Sequence, residues 1–380
     1  MAGAACAVLG LCAIAEACNV PVFRFALERW RPDPYRVVLF HRGALSEAEL
    51  GMIRPLEEQQ DKALANLAIE TVDLEAEGEI SEQGAADRAL YEAIGKPPLP
   101  WIVVQYPAHL RVPKPAWAGP LRKEFISAAI DSPIRQELAR RLTDGQTAVW
   151  LLLESGQADK DEPAAALLEA ELKRLEQELE LPELTPAPED ALASAVPLKI
   201  AFSVLRVPRA SPAESALVAM LIGSEPDLAE RSDPMVFPVF GRGRALLALI
   251  GAGITAQNIH DAAAFLAGPC SCEVKEQNPG FDLLLHADWD ELLSKGGLPL
   301  AALETRSAPP PSEPVLVPIP SGALPSAANA PENTVVLLSY PLSPWFNRKV
   351  WIGCGVVLGV LLLAAIVVSL SQSRGHDAHA

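Results

Sequence analysis

Two cysteines separated by one serine, Cys270-Ser271-Cys272, come nearest in this chain to a type and spacing that does chemistry. They lie in LAGPCSCEVKEQNPG, past the Gly268-Pro269 pair that closes a helical pattern, and are expected in a loop. A pair at i and i+2 can close a strained, easily reduced disulfide or offer two soft thiolates to Cu(I) or zinc. A structural zinc site has two such pairs at regular spacing. The body of the chain supplies only His41, His109, His260 and His286 besides, with His260 and His286 nearest in sequence. Three readings stand for Cys270 and Cys272: an inert structural pair, a redox-active pair, and a pair of metal ligands.

Other candidates are weaker. His41 and Arg42 follow an apolar strand pattern, where sheets present functional groups, yet a solvated strand end explains them equally. Asp288-Trp289-Asp290 sets carboxylates around an aromatic ring, but Asp288 also suits the cap of a short helical turn from Trp289 to Leu293. Neither Gly241-Arg-Gly-Arg244 nor Gly251-Ala-Gly253 makes a nucleotide-binding pattern. No G-x-S-x-G, P-loop or H-E-x-x-H motif occurs. No catalytic residue and no cofactor is therefore assigned.

The remaining cysteines point to membranes. Cys6 and Cys12 fall in Met1 to Ala17, an apolar, small-residue segment ending in Ala15-Glu16-Ala17, an A-x-A-like processing site. This arrangement resembles a Sec-type or bacterial lipoprotein signal, which implies Cys18 as the cysteine exposed by cleavage and lipidated. Ala15 and Glu16 stand where lipoprotein boxes carry Leu and a small residue, and no basic residue precedes Arg24. Cys354 lies in the nineteen-residue apolar run Val350 to Val368. At about 1.5 Å per residue such a run nearly spans a hydrocarbon core of roughly 30 Å, so residues 350–370 are expected as a single transmembrane helix. Arg348 and Lys349 against Arg374 give a slight bias, and the export signal is given precedence. The expected location is the inner membrane, with the large domain outside the cytoplasm and a tail at 371–380. The expected partners are the bilayer, through residues 350–370, and other envelope proteins.

A formal charge of −17 with no Lys/Arg cluster excludes nucleic-acid backbone binding. Arg306 to Pro331 holds eight prolines in twenty-six residues, which favours an extended polyproline linker. Roughly 285 residues then remain, enough for two domains. In the first half, Val22 to Trp30 has helical apolar spacing. Tyr35 to Phe40, Ala68 to Leu74 and Trp101 to Gln105 read as strands. Ser46 to Leu67, Glu82 to Ile94 and Leu121 to Leu142 read as helices, the last broken near Ser132-Pro133, and Ser46 with Glu49 forms a capping-box signature. The second half repeats the plan. Its strands are Thr147 to Leu153, Leu198 to Val204, Met235 to Phe240, Ala245 to Ile250 and Phe281 to Leu285. Its helices are Glu162 to Glu180, Ser215 to Ile222 and Thr255 to Leu266. The stripe Leu168, Leu172, Leu175 and Leu179 is a core face.

Both halves resemble thioredoxin-like domains. The matching stretches are YRVVLFHRGALS with IGKPPLPWIVV, and TAVWLLLESGQA with ERSDPMVFPVF. The resemblance puts that fold's proline, usually cis, at Pro100 and Pro234. It also implies a redox CxxC at each first strand–helix junction, where a helix N-terminus lowers the thiol pKa. His41 to Ser46 and Glu154 to Asp159 contain no thiol, so dithiol exchange at that place is excluded. The expected fold class is α/β: two thioredoxin-like mixed-sheet domains in tandem at 35–145 and 146–304, plus a C-terminal single transmembrane helix. A signal-like segment at 1–17 and a connector at 18–34 precede them, and a linker at 305–349 follows. The expected function is a non-enzymatic, membrane-tethered extracytoplasmic scaffold; the alternative is a thiol-disulfide or metal-handling accessory acting through Cys270 and Cys272.

Overall fold

The computed structural model describes residues 18–76, 81–270 and 274–294. The signal-like segment, Cys272, the proline-rich stretch and the terminal apolar run lie outside the described residues. Within them, no helix is long and apolar enough to cross a membrane.

The architecture is mixed α/β with two mixed sheets. After α1 (Val22–Arg29), the first half runs β1 (Tyr35–His41), α2 (Glu47–Asp61), β2 (Leu67–Asp73), α3 (Glu82–Ala93), β3 (Trp101–Gln105) and β4 (Trp117–Pro120). It closes with α4 (Lys123–Ile130) and α5 (Pro133–Thr143). The strand order is β2-β1-β3-β4, with β1 parallel to β2 and antiparallel to β3. The second half runs β5 (Ala148–Leu153), α6 (Ala158–Glu178), β6 (Phe202–Val207), α7 (Ser215–Gly223) and β7 (Met235–Phe240). Then come β8 (Arg244–Ala245), β9 (Leu249–Ile250), α8 (Ala256–Ala267), β10 (Phe281–Asp282) and α9 (Trp289–Ser294). Its order, β10-β8-β7-β5-β6 with β9 beside β7, repeats the first: β5 is parallel to β6 and antiparallel to β7. The duplicated plan expected from pattern alone is thus present in topology.

Local chemistry sets several boundaries. The Ser46 side chain accepts from Glu49 N while Glu49 bonds back to Ser46 N at 2.7 Å, so the capping box forms as read. The expected helix to Leu67 stops at Asp61, because Leu67 to Asp73 pairs in full register with β1. Ser132 caps α5 with Pro133 at its first position, which accounts for the break there. The second-half strand expected from Leu198 lies instead at Phe202–Val207, since Thr147 binds Lys199 and Ala201 by its side chain ahead of the ladder. β4 was not expected: its one proline, Pro120, is tolerated because it is an edge strand.

Side-chain alternation turns the sheets into layers. Val38, Phe40 and Val103 face α3, where Tyr91, Leu90 and Ile94 cover them. Val37, Leu39, Ile102 and Val104 point the other way, into a core that also receives Val149, Leu151, Leu153, Phe237 and Val239 of the second sheet. Helices α2, α4, α5 and α7 contribute Leu56, Ile130, Leu138 and Leu217 to it. Helix α7 is apolar nearly all round, as a helix covered on every side must be. The two sheets therefore share one continuous core.

The outer face of the second sheet, with Trp150, Leu152 and Val236, is covered by α6, α8 and α1. Leu168, Leu172 and Leu175 of α6 are buried there, in agreement with the core reading. Residues 18–30 therefore belong to the packing of the second half. Val22 N donates to Gly268 O and Cys270 N to Val20 O, both at 2.9 Å, an antiparallel bridge between Pro21 and Pro269. Gly241 permits the close approach: with φ at +57°, an added Cβ would stand 2.7 Å from Ala26 Cβ. Arg24 and Glu28 enter this apolar layer as an ion pair of 2.7 Å with no exposed side-chain surface. Glu28 also accepts from the backbone of Ala193 and Ser194, and Arg24 Nη2 donates to Ser194 O. Arg24 Nε, although close to the carboxylate, is not aimed at it, so the pairing is coulombic more than hydrogen-bonded. Asp190 fixes the start of the segment by accepting from Asn19 N and Nδ2. Those bonds, after the larger ones from Thr185, hold its carboxyl below the usual range.

Candidate functional site

The strand–helix junctions come first, because the duplicated topology sets them at equivalent places. At the end of β1, His41 Nδ1 lies 2.8 Å from Gly43 O, and Gly43 N donates to Asp73 Oδ1. The backbone amides of Glu75 and then of Gly43 lower the Asp73 pKa. Arg42 is exposed. The helix N-terminus beyond is filled by its own capping box, and the Ser46 hydrogen bonds lower the Glu49 pKa. At the end of β5, Asp161 turns back to accept from Ser155 N, Ser155 Oγ and Gly156 N at 2.7–3.0 Å. At both junctions backbone amides are thus met by side chains of the junction itself, and neither junction carries a thiol. Leu99–Pro100 ahead of β3 is cis, and it is the only cis bond among the described residues; Asp233–Pro234 is trans.

Cys270 lies past the end of α8, outside any helix or strand as expected, but it is buried. It is 1% exposed, paired through its backbone with Val20, in the apolar cluster that also contains Cys18, itself 3% exposed. Cys18 Sγ donates to Glu189 O at 3.3 Å. A lipid on Cys18 would require this sulfur to leave the cluster, and a thiolate at Cys270 would form without solvent. Cys272 lies outside the described residues. His260 pairs with Asp261, His109 stands 3.6 Å from Asp33, and His286 lies 3.9 Å from Asp131. Among the described residues no group of three His, Cys, Asp or Glu side chains is gathered for a metal. In native protein, Cys18 and Cys270 are expected to react with a maleimide at least a hundredfold more slowly than after denaturation. Timed alkylation followed by peptide mass spectrometry checks this. Asp288 behaves as a cap, accepting from Glu291 N at 2.8 Å, while Asp290 pairs with Arg242.

Concave surface is found elsewhere. A groove of about 630 Å³ runs between α2 and the α4–α5 turn, a place sequence reasoning did not mark. Met52, Leu56, Ile126 and Ile130 are on its lining, with Gln59 and the neighbouring Asp131 and His286 as polar groups. Gly51 and Pro55, one turn apart on α2, both line it, and Pro55 has no N–H for the Gly51 carbonyl. Space beside Gly51 is open, with nothing within 4 Å of an added Cβ. Gln59 Oε1 is closed off from solvent and accepts no hydrogen bond among the described residues. Leaving such an acceptor unmet costs about 1–3 kcal/mol.

The groove stands on a buried polar scaffold. Arg135 donates to the carbonyls of Ala128, Ala129 and Ile130 at 2.6–3.0 Å, the groups that α4 leaves unpaired at its C-terminus. It also reaches Leu284 O and Ser132 Oγ. Burial pushes its guanidinium down to about 10. Glu214 closes the far side by accepting from Ser132 Oγ and Ile134 N. A second concavity, of about 590 Å³, is lined in part by Arg36, which is already held by Asp87, Glu70 and Gln105. The signal that marks the groove in sequence, Gly51 with Pro55 inside a capped helix, is a local oddity with no motif attached. No family model, curated protein or solved structure matches this chain.

Proposed function

We propose that the chain is a non-enzymatic interaction module, tethered to a membrane through residues 350–370, whose folded body lies outside the cytoplasm and organises other envelope proteins. The observation that carries this reading is the pair of strand–helix junctions. At each, polar side chains of the junction itself bond the backbone amides, and neither carries a thiol. A thioredoxin-like ancestry is supported by the strand order repeated in the two sheets, a parallel central pair flanked by antiparallel strands. Once thiol chemistry is removed from such a scaffold, binding is what remains, and the groove between α2 and the α4–α5 turn is an apolar concavity available for it. The thiol-exchange alternative is not favoured, because Cys270 lacks the access that an exchanging thiolate needs.

Site-specific photocrosslinking in cells tests this. A benzophenone amino acid at Gly51 points into open space, and one at exposed Lys173 on α6 serves as the control. Discrete protein adducts are expected from position 51 and not from 173, in the membrane fraction. No adduct from 51, or the same adducts from both positions, would sink the reading.

A further inference from the structure

The groove's polar groups include acceptors that its own residues leave under-used. Asp131 takes Ser132 N at 2.8 Å on Oδ1 and Gln136 Nε2 at 2.6 Å on Oδ2, one donor for each oxygen. Each carboxylate oxygen has room for a second. His286 at 3.9 Å is too far for a hydrogen bond. Gln59 Oε1, on the same lining, accepts none among the described residues. Lys123, also on the lining, is exposed. The apolar part of the lining is aliphatic: Met52, Leu56, Ile126 and Ile130.

A site with an aliphatic lining, a carboxylate and a spare carbonyl fits one side chain well. Lysine lays a four-carbon stem on apolar surface and delivers three donors at a point. Arginine's planar fork is matched to the two oxygens of one carboxylate, whereas the acceptors here are divided between Asp131 and the Gln59 carbonyl. The chain's formal charge of −17 also favours a basic partner over an acidic one. We propose that the groove receives a short apolar segment of a partner protein containing one lysine. The stem packs on Met52, Leu56 and Ile130, and the ammonium donates to Asp131 and draws the Gln59 amide round so that its Oε1 accepts as well. This rests on the reading of the groove as the binding surface, and it names what that surface selects.

The test uses the full chain in lipid nanodiscs and two fluorescein-labelled peptides, Ala-Leu-Lys-Leu-Ala and its norleucine counterpart, both capped. Anisotropy is read against protein-free nanodiscs. The lysine peptide is expected to bind about tenfold more tightly than the norleucine peptide. Asp131→Asn and, independently, Gln59→Leu are each expected to shrink that ratio several-fold, with thermal unfolding checked for both. Equal affinity for the two peptides, or a ratio unchanged in both variants, overturns the lysine assignment. Absence of saturable binding by either peptide also overturns it. In every such case, adducts from position 51 would still support the groove as a binding surface, whereas their absence would remove that reading as well.

Discussion

Glu28→Ala is expected to destabilise the folded body by about 3–5 kcal/mol, because it strands the Arg24 guanidinium where no water reaches it. The cost has two parts. Arg24 loses its counter-charge, and the amides of Ala193 and Ser194 lose the carboxylate that accepts them. Arg24 Nη2 still reaches Ser194 O, which softens the first part without removing it. The pair itself is not expected to be a large net stabiliser, since taking both ions out of water offsets most of their attraction. The double substitution Arg24→Met with Glu28→Leu should therefore cost less than Glu28→Ala alone. Chemical denaturation of the full chain in nanodiscs, followed by tryptophan fluorescence, measures both. A double variant that is the weaker of the two would show that the ion pair contributes more than its desolvation costs.

The second large effect is at Arg135. Arg135→Met keeps an unbranched apolar stem but removes every donor from the carbonyls of Ala128, Ala129, Ile130 and Leu284. Each buried carbonyl left unmet costs about 1–3 kcal/mol, so a loss of about 3 kcal/mol or more is expected even after partial relaxation. Arg135→Lys should recover only part of it, because one ammonium cannot span four acceptors as the planar fork does. Because the same carbonyls close the α4–α5 turn at Ala128 and Ile130, the groove should change with stability. Loss of stability in Arg135→Met together with unaltered crosslinking from position 51 would show that the turn holds its shape without the arginine.

Much of the secondary structure was readable because local signals agreed with burial. WIVVQ and MVFPVF became strands over the residues expected, and Ser46 with Glu49 closed its box. The break at Ser132-Pro133 was also visible, since a serine cap followed by proline starts a helix wherever it falls. Four-residue β4 was hidden by its flanking prolines, which only an edge position excuses. The fate of residues 18–30 was hidden for another reason. RFALE offers charges at i and i+4, a spacing that reads as a solvated helix face, and only the partners Ala193 and Ser194 make it buried. The candidate site was the least legible part. Its lining comes from residues 51–59, 123–136, 213 and 286, and no spacing rule joins segments so far apart. Cys270 and Cys272 attracted attention by adjacency, whereas the contact observed for Cys270 is with Val20.

That early segment has a consequence for the time course of synthesis. The packing of helix α1 is completed by Phe240, Gly241 and the end of α8, about 210–246 residues later in the chain. At a translation rate of about 5–20 residues per second, its apolar face waits roughly 10–50 seconds for a partner. During that interval the nascent chain carries Phe23, Phe25 and Trp30 uncovered, which is the kind of stretch that holding chaperones recognise. Completion of the body is then a ring-closing event, in which the first described residues seal the last sheet.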